Sequence, residues 1–77
     1  MPTYMFCSPV KPDPEPMELA DDDTAWSEAI RMCGEMLRDT QGQIADGTIW
    51  EMIVLDGGSM VEVARIEIRC MRRSLQA

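Results

Sequence analysis

Ile49-Trp50-Glu51-Met52-Ile53-Val54-Leu55, then Asp56-Gly57-Gly58-Ser59, then Met60-Val61-Glu62-Val63-Ala64-Arg65-Ile66-Glu67-Ile68: this stretch reads strand, glycine turn, strand. Its β-branched and aromatic residues suit a pleated, half-buried setting. Glycine tolerates positive φ, so Asp56-Gly57-Gly58-Ser59 fits a tight hairpin turn. In the first run Trp50, Met52 and Val54 share one face, wholly apolar, and need a second layer over them. Ile49, Glu51, Ile53 and Leu55 share the other face. A single carboxylate among three aliphatic side chains is unusual for a face left in water. In the second run Val61 and Val63 have one parity, Ile66 and Ile68 the other, which predicts a bulge near Ala64-Arg65.

The second layer precedes the hairpin. Asp21-Asp22-Asp23 opens a helix, because an aspartate accepts the orphan amide protons of a first turn and its charge suits the positive end of the dipole. A calcium loop would need ligands at alternate positions, glycine at the sixth and glutamate at the twelfth, and the sequence lacks them. Trp26, Ala29, Ile30, Cys33, Leu37, Thr40 and Ile44 recur at helical spacing and predict the stripe that faces the sheet. Glu28, Arg31, Glu35 and Arg38 lie opposite, spaced for ion pairs worth about 0.2–0.5 kcal/mol each. Burying Trp26, Ile30 or Leu37 is worth about 1.5–3 kcal/mol each, so burial and not charge orients the helix. Gly34 and Gly42 interrupt the pattern. Asp46-Gly47 is the expected terminator, in a left-handed cap.

Upstream, Thr3 to Ser8 reads as a first strand with Tyr4 and Phe6 on one face and Met5 and Cys7 on the other. Pro9, Pro12, Pro14 and Pro16 mark an extended loop that excludes a central strand. Met17-Glu18-Leu19 reads as a short second strand paired back onto the first. The expected class is α+β: a two-layer β-β-α-β-β arrangement, one long helix packed on a small, mainly antiparallel sheet.

Seventy-seven residues make a single small domain with a thin stability margin. Folds this small recruit disulfides, metals or a second copy. The three cysteines are odd in number and scattered, and the chain has no histidine, so disulfide and zinc frameworks are both poorly supported. No run of roughly 20 apolar residues reads as a membrane span. The N-terminus lacks the basic start and apolar core of a signal peptide. A reduced cytoplasm is the expected compartment. The net charge of −7 disfavours general affinity for nucleic acid. Asp13, Glu15, Glu18, Asp21, Asp22 and Asp23 cluster early, and Arg65, Arg69, Arg72 and Arg73 late. Such runs read first as solvated faces, with attraction between the two poles as the alternative. The segment 69–77 reads as a basic tail, disordered or helical.

With these elements placed, the chain resembles a family of short bacterial proteins known only as a domain of unknown function, DUF6894. The residues that carry the resemblance are Met1-Pro2-Thr3-Tyr4-Met5-Phe6, Glu18-Leu19, Asp21 with Ala25, Glu28, Ala29 and Arg31, and the closing Trp50, Val54 and Asp56. The likeness runs from Met1 to about Ile66. It implies a β-β-α-β-β fold and no activity, substrate or cofactor. The chain departs from the family where Pro16 replaces a usual glycine and where Ile53 and Leu55 replace polar residues. The first departure bears on the second strand, the second on the apolar outer face.

Catalytic signatures are missing from the sequence. A serine or cysteine nucleophile needs a base, usually histidine. Cys33 on an apolar helix stripe behaves as a small hydrophobe. The Asp-Gly-Gly-Ser turn joins two strands, whereas phosphate loops set their glycines before a helix. No catalytic, cofactor-binding or metal-ligating residue is assigned. Met32, Met36, Met52 and Met60 read as gap-filling core, or as an adaptable binding surface. The expectation is a non-enzymatic protein-interaction module that pairs with itself, as a homodimer, through Ile49, Ile53 and Leu55, or binds another protein there. One alternative is nucleic-acid contact through Arg65, Arg69, Arg72 and Arg73, which share a face if the tail is helical. The other is an enzyme completed at a dimer seam.

Overall fold

The hairpin forms the larger part of a four-stranded antiparallel sheet. The computed structural model describes residues 1–8, 13–40 and 44–72. Its elements are β1 (Thr3–Cys7), β2 (Glu15–Glu18), α1 (Asp22–Asp39), β3 (Thr48–Asp56) and β4 (Glu62–Cys70). The sheet order is β2-β1-β3-β4, and α1 lies over β3 and β4. This is the two-layer α+β arrangement that the sequence implied. Pro9, Pro12, Gly42, Arg73 and the rest of 73–77 lie outside the described residues.

Register explains which side chains meet α1. Tyr4 pairs with Met17 on one side, and Phe6 with Val54 on the other. Trp50, Met52 and Val54 pair with Ile68, Ile66 and Ala64. All of these share one face, and Tyr4, Phe6, Trp50, Met52 and Val54 are buried there. β2 begins two residues earlier than expected and includes Pro16, opposite Met5. The strand lies at the sheet edge, where a residue without an N–H is tolerated.

The helix sits on this face differently from the expected stripe. Its buried residues are Ala25, Ala29 and Cys33, with Met32 and Met36 packed beside them. Trp26 and Ile30 remain 47% exposed and Leu37 38%. The physical reason is volume. Tyr4, Phe6, Trp50 and Met52 already fill the layer, so the helix approaches through small side chains and its large ones lie on the flank. The helix also ends earlier than Gly47. It stops at Asp39, where the Thr40 hydroxyl donates to the Leu37 carbonyl at 2.7 Å and the Thr40 amide to that of Met36 at 3.2 Å. Gly47 does adopt positive φ, 85°, but it leads into β3, with its amide donating to the Cys70 carbonyl at 2.7 Å. That bond belongs to a β4 that runs on through Arg69 and Cys70, two residues placed in a tail by the sequence reading.

Both ends of the hairpin turn are held by polar contacts. The Asp56 carboxylate accepts from the Gly58 and Ser59 amides at 2.8 and 3.0 Å. The Gly57 amide donates to the Thr3 carbonyl at 2.7 Å, and a Cβ on Gly57 would stand 2.7 Å from that oxygen. Glycine is therefore required here for close approach. The left-handed residue of the turn is Met60, with φ 61°. That conformation costs a non-glycine residue about 1–2 kcal/mol. Met60 is largely exposed, so Met60→Gly should stabilise the fold by about 0.5–1 kcal/mol, net of the extra chain entropy of glycine. Urea unfolding of the two proteins measures this, and a destabilised variant would contradict it. The bulge sits slightly earlier than Ala64-Arg65: Val54 pairs with Ala64 but Leu55 with Glu62, which leaves Val63 as the extra residue.

At the start of α1, Asp21 accepts from the Thr24 amide at 2.8 Å and the Thr24 hydroxyl at 2.7 Å. The Tyr4 hydroxyl donates to Asp22 at 2.6 Å, tying β1 to the helix. That bond, aided by burial, pushes the tyrosine pKa up to about 12. The bonds from Thr24 hold the Asp21 carboxyl below its ordinary value. Those from Ser59 and Gly58 do the same for Asp56. A carboxyl depressed in the folded state stabilises above its unfolded pKa, near 4, and loses that contribution as pH falls through the folded value. Thermal melts from pH 6 to about pH 2 should show a shallower acid loss in an Asp21→Asn, Asp56→Asn variant than in the parent. Equal slopes would mean that these two contacts contribute nothing to acid sensitivity.

Candidate functional site: the outer sheet face

Side chains of opposite parity to the core point away from α1. On the two central strands they form an apolar block, in which Met5 pairs with Leu55 and Cys7 with Ile53. Each of these four is only half-buried. Ile49 extends the block along β3 and is 59% exposed. The described residues supply no second layer on this side, since the helix covers the other one. Ile49, Ile53 and Leu55 are thus brought together on one face, and Met5 and Cys7 join them. Alternation in β1 had already put Met5 and Cys7 on one side; only the strand order shows that it is the side of Ile53.

The rim of this face is charged and internally paired. Arg65 lies opposite Ile53. It donates to Glu51 at 2.8 Å and to Glu62 at 2.7 and 3.0 Å. Those bonds, Glu62 foremost, hold its guanidinium in the charged form. Arg69 lies opposite Ile49 and donates to Glu67 at 3.0 Å. Arg65 and Arg69 share a strand face, in place of the helical face expected if 65–73 were helical. Arg72 follows the strand, with its backbone amide bonded to Asp46 at 2.6 Å. Exposed pairs of this kind are worth about 0–1 kcal/mol each. Their larger consequence is to neutralise the arginines locally.

Elsewhere the residues weighed for chemistry are held by packing. Cys33 is buried, and burial pushes its thiol pKa up, away from the reactive thiolate. Among the described residues no group of three or more acidic, cysteine or histidine side chains is placed to hold a metal. No helix among them is long and apolar enough to cross a membrane. Met32, Met36 and Met52 gather with Trp50 around a groove beside the end of α1, while Met60 lies in the hairpin turn. Two features escaped the sequence reading: this groove, and the exposed row Trp26, Ile30, Leu37 on the flank of α1.

Comparison with known proteins adds one finding. The family described as "Domain of unknown function (DUF6894)" matches residues 7–70. Neither a curated protein nor a solved structure matches the chain. The match begins after Met1-Pro2-Thr3-Tyr4-Met5-Phe6 and runs on to the end of β4. Within it, Ala25, Ala29, Trp50 and Val54 are core residues, Asp21 is the helix cap and Asp56 holds the turn. Packing and turn geometry account for these residues without chemistry.

Proposed function

We propose that this chain, which belongs to the DUF6894 family, is a non-catalytic module that associates with a second copy of itself through the outer sheet face. The observation that carries the reading is the apolar block Met5, Cys7, Ile53 and Leu55 at the centre of a sheet that, among the described residues, has a helix on the opposite side and no layer on this one. A contiguous apolar sheet face without a second layer is a candidate interaction site. A second copy is the favoured occupant because the bordering charges are self-complementary. Along β4 this face carries Glu62, Arg65, Glu67 and Arg69. A twofold-related copy runs the series backwards and sets Glu62 against Arg69 and Arg65 against Glu67. Isologous interfaces require such self-matching, and complementary rims fix register. Nucleic acid is the weaker reading, since the net charge of −7 repels phosphate and this face carries as many glutamates as arginines along β4. A cytoplasmic setting fits three free thiols.

Sedimentation tests the proposal. The parent protein should run as a dimer, and Ile53→Lys with Leu55→Lys should convert it to a monomer with unchanged helical circular dichroism. A parent that runs as a folded monomer at high concentration would overturn the proposal. So would a dimer that survives both lysines and dissociates on Trp26→Lys, which would place the contact on the helix flank.

A further inference from the structure

We infer that the edge of β4 takes up an extended segment of another protein as an added antiparallel strand, in which β-branched residues alternate with glutamate and arginine. The two edges of the sheet, β2 and β4, differ. β2 is four residues long and contains Pro16, features that blunt an edge against further pairing. β4 is nine residues long and has no proline. Its one neighbour among the described residues is β3. The Cys70 carbonyl accepts from the Gly47 amide and so points towards β3. Main-chain groups alternate in direction along a strand, which turns those of Arg65, Glu67 and Arg69 outwards. A row of unpaired amides and carbonyls is a template for an added strand.

The side chains along this edge specify what that strand carries. On the helix side Ala64, Ile66 and Ile68 are half-buried. The groove beside Ser8, just past β1, follows the Met32, Glu35 and Asp39 side of α1. Trp26, Ile30 and Leu37 fall on the other side of the helix, towards β4, and remain partly exposed. An added strand would set its apolar residues beside Ile66 and Ile68, next to this row. On the outer face β4 presents Arg65, Glu67 and Arg69. Opposite charges directly across a ladder attract and like charges repel. The partner strand therefore carries glutamate, arginine and glutamate at alternate positions. A second copy of β4 matches less well. The register that sets Arg65 of one chain against Glu67 of the other centres on Ile66 and places the bulged Val63 opposite Arg69. The bulge would interrupt pairing at both ends, whereas a regular strand pairs from Ala64 to Cys70.

The experiment follows the backbone amide resonances of the full chain as end-blocked peptides are added. The matched peptide is Thr-Glu-Val-Arg-Val-Glu-Val-Thr. A mismatched one exchanges glutamate and arginine throughout. A third is the matched peptide N-methylated at its charged residues, whose amides would face β4. The matched peptide should bind saturably, shift the Arg65, Glu67 and Arg69 amides and slow their exchange with solvent. The mismatched peptide should bind about tenfold more weakly, a difference that three cross-strand charge pairs supply. Net charge alone predicts the reverse order, since the chain carries −7 and the mismatched peptide is the more positive. The N-methylated peptide should not bind. Glu67→Arg should weaken the matched peptide about threefold, and glutamate in place of the peptide's arginine should restore its binding. No saturable binding, a mismatched or N-methylated peptide that binds as tightly as the matched one, or shifts confined to the outer face would each overturn the proposal. So would a parent that sediments as a tetramer and falls to a dimer on adding peptide, because a second copy would then occupy the edge. The Ile53→Lys, Leu55→Lys variant reports separately on the outer face.

Discussion

Trp50→Ala should cost this protein about 3–5 kcal/mol, while Trp26→Ala should cost about 1 kcal/mol or less. The two indoles are chemically alike and placed oppositely. Trp50 is 8% exposed near the start of β3, against the last turns of α1; Trp26 is 47% exposed on the helix flank. Removing Trp50 leaves a large void between β3 and α1, and Met52 on the same strand face and Ile68 opposite cannot collapse far into it. The loss should fall in the lower part of that range, because deletion also removes a buried N–H without an acceptor, itself a burden of about 1–3 kcal/mol. Removing Trp26 forfeits half a contact surface and regains helix propensity, since alanine is the best helix former. A chain of 77 residues has a stability of roughly 4–12 kcal/mol, so Trp50→Ala should leave little of it. Urea unfolding of both variants measures the difference. Equal losses would mean that α1 is rotated to bury Trp26, contrary to this packing.

The contrast shows what was legible in the sequence. Strand identity and face came through alternation, which has a period of two and is unambiguous over β3. The helix cap came through local chemistry: Asp21 bonds Thr24 within the same turn. The rotation of α1 came through only in part: Ala29 and Cys33 of the expected stripe are buried, but its large residues are not. Its apolar arc is broad, and ranking residues by hydrophobic size picked Trp26, Ile30 and Leu37. What decides rotation is the volume left over by the partner layer, and that depends on a sheet assembled from residues distant in sequence. Alanine carries little hydrophobic weight on its own, yet Ala25 and Ala29 are fully buried. Helix length failed for a related reason. Ile44 fits the helical period, and nothing in the pattern announces that Thr40 caps the helix with its own hydroxyl.

The outer face was legible in part. Ile53 and Leu55 were readable as misplaced apolar residues because they share parity with Glu51. Met5 and Cys7 were readable as one face of a strand, but nothing local says which neighbour that strand takes. The β1–β3 pairing joins the two halves of the block. The basic cluster was legible only as two alternatives, a solvated run or a binding patch. Four arginines close together in sequence look like an electrostatic patch. Strand geometry sets glutamates beside two of them: Arg65 sits between Glu51 and Glu62, and Arg69 meets Glu67.

Ala29→Leu gives the second large effect, and it tests the proposed packing from the helix side. Ala29 is 0% exposed and belongs to the cluster with Trp50, Met52 and Val54. Leucine would raise the hydrophobicity of the stripe and would be welcome if that stripe were merely apolar. The approach of α1 to the sheet leaves no room for three more carbons. Overpacking a well-filled core costs about 1–3 kcal/mol, through displaced rotamers and backbone shifts. Here the strain should lift the helix and loosen the Tyr4–Asp22 bond that joins it to β1. Ala29→Leu is therefore expected to lower the urea midpoint and to increase amide exchange along α1 more than along β3. Leucine at the exposed neighbouring position, Ile30→Leu, should change stability by no more than about 0.5 kcal/mol. If Ala29→Leu instead stabilises the protein, the helix stands farther from the sheet than its small-residue stripe indicates, and close packing through Ala25, Ala29 and Cys33 is not what holds the two layers together.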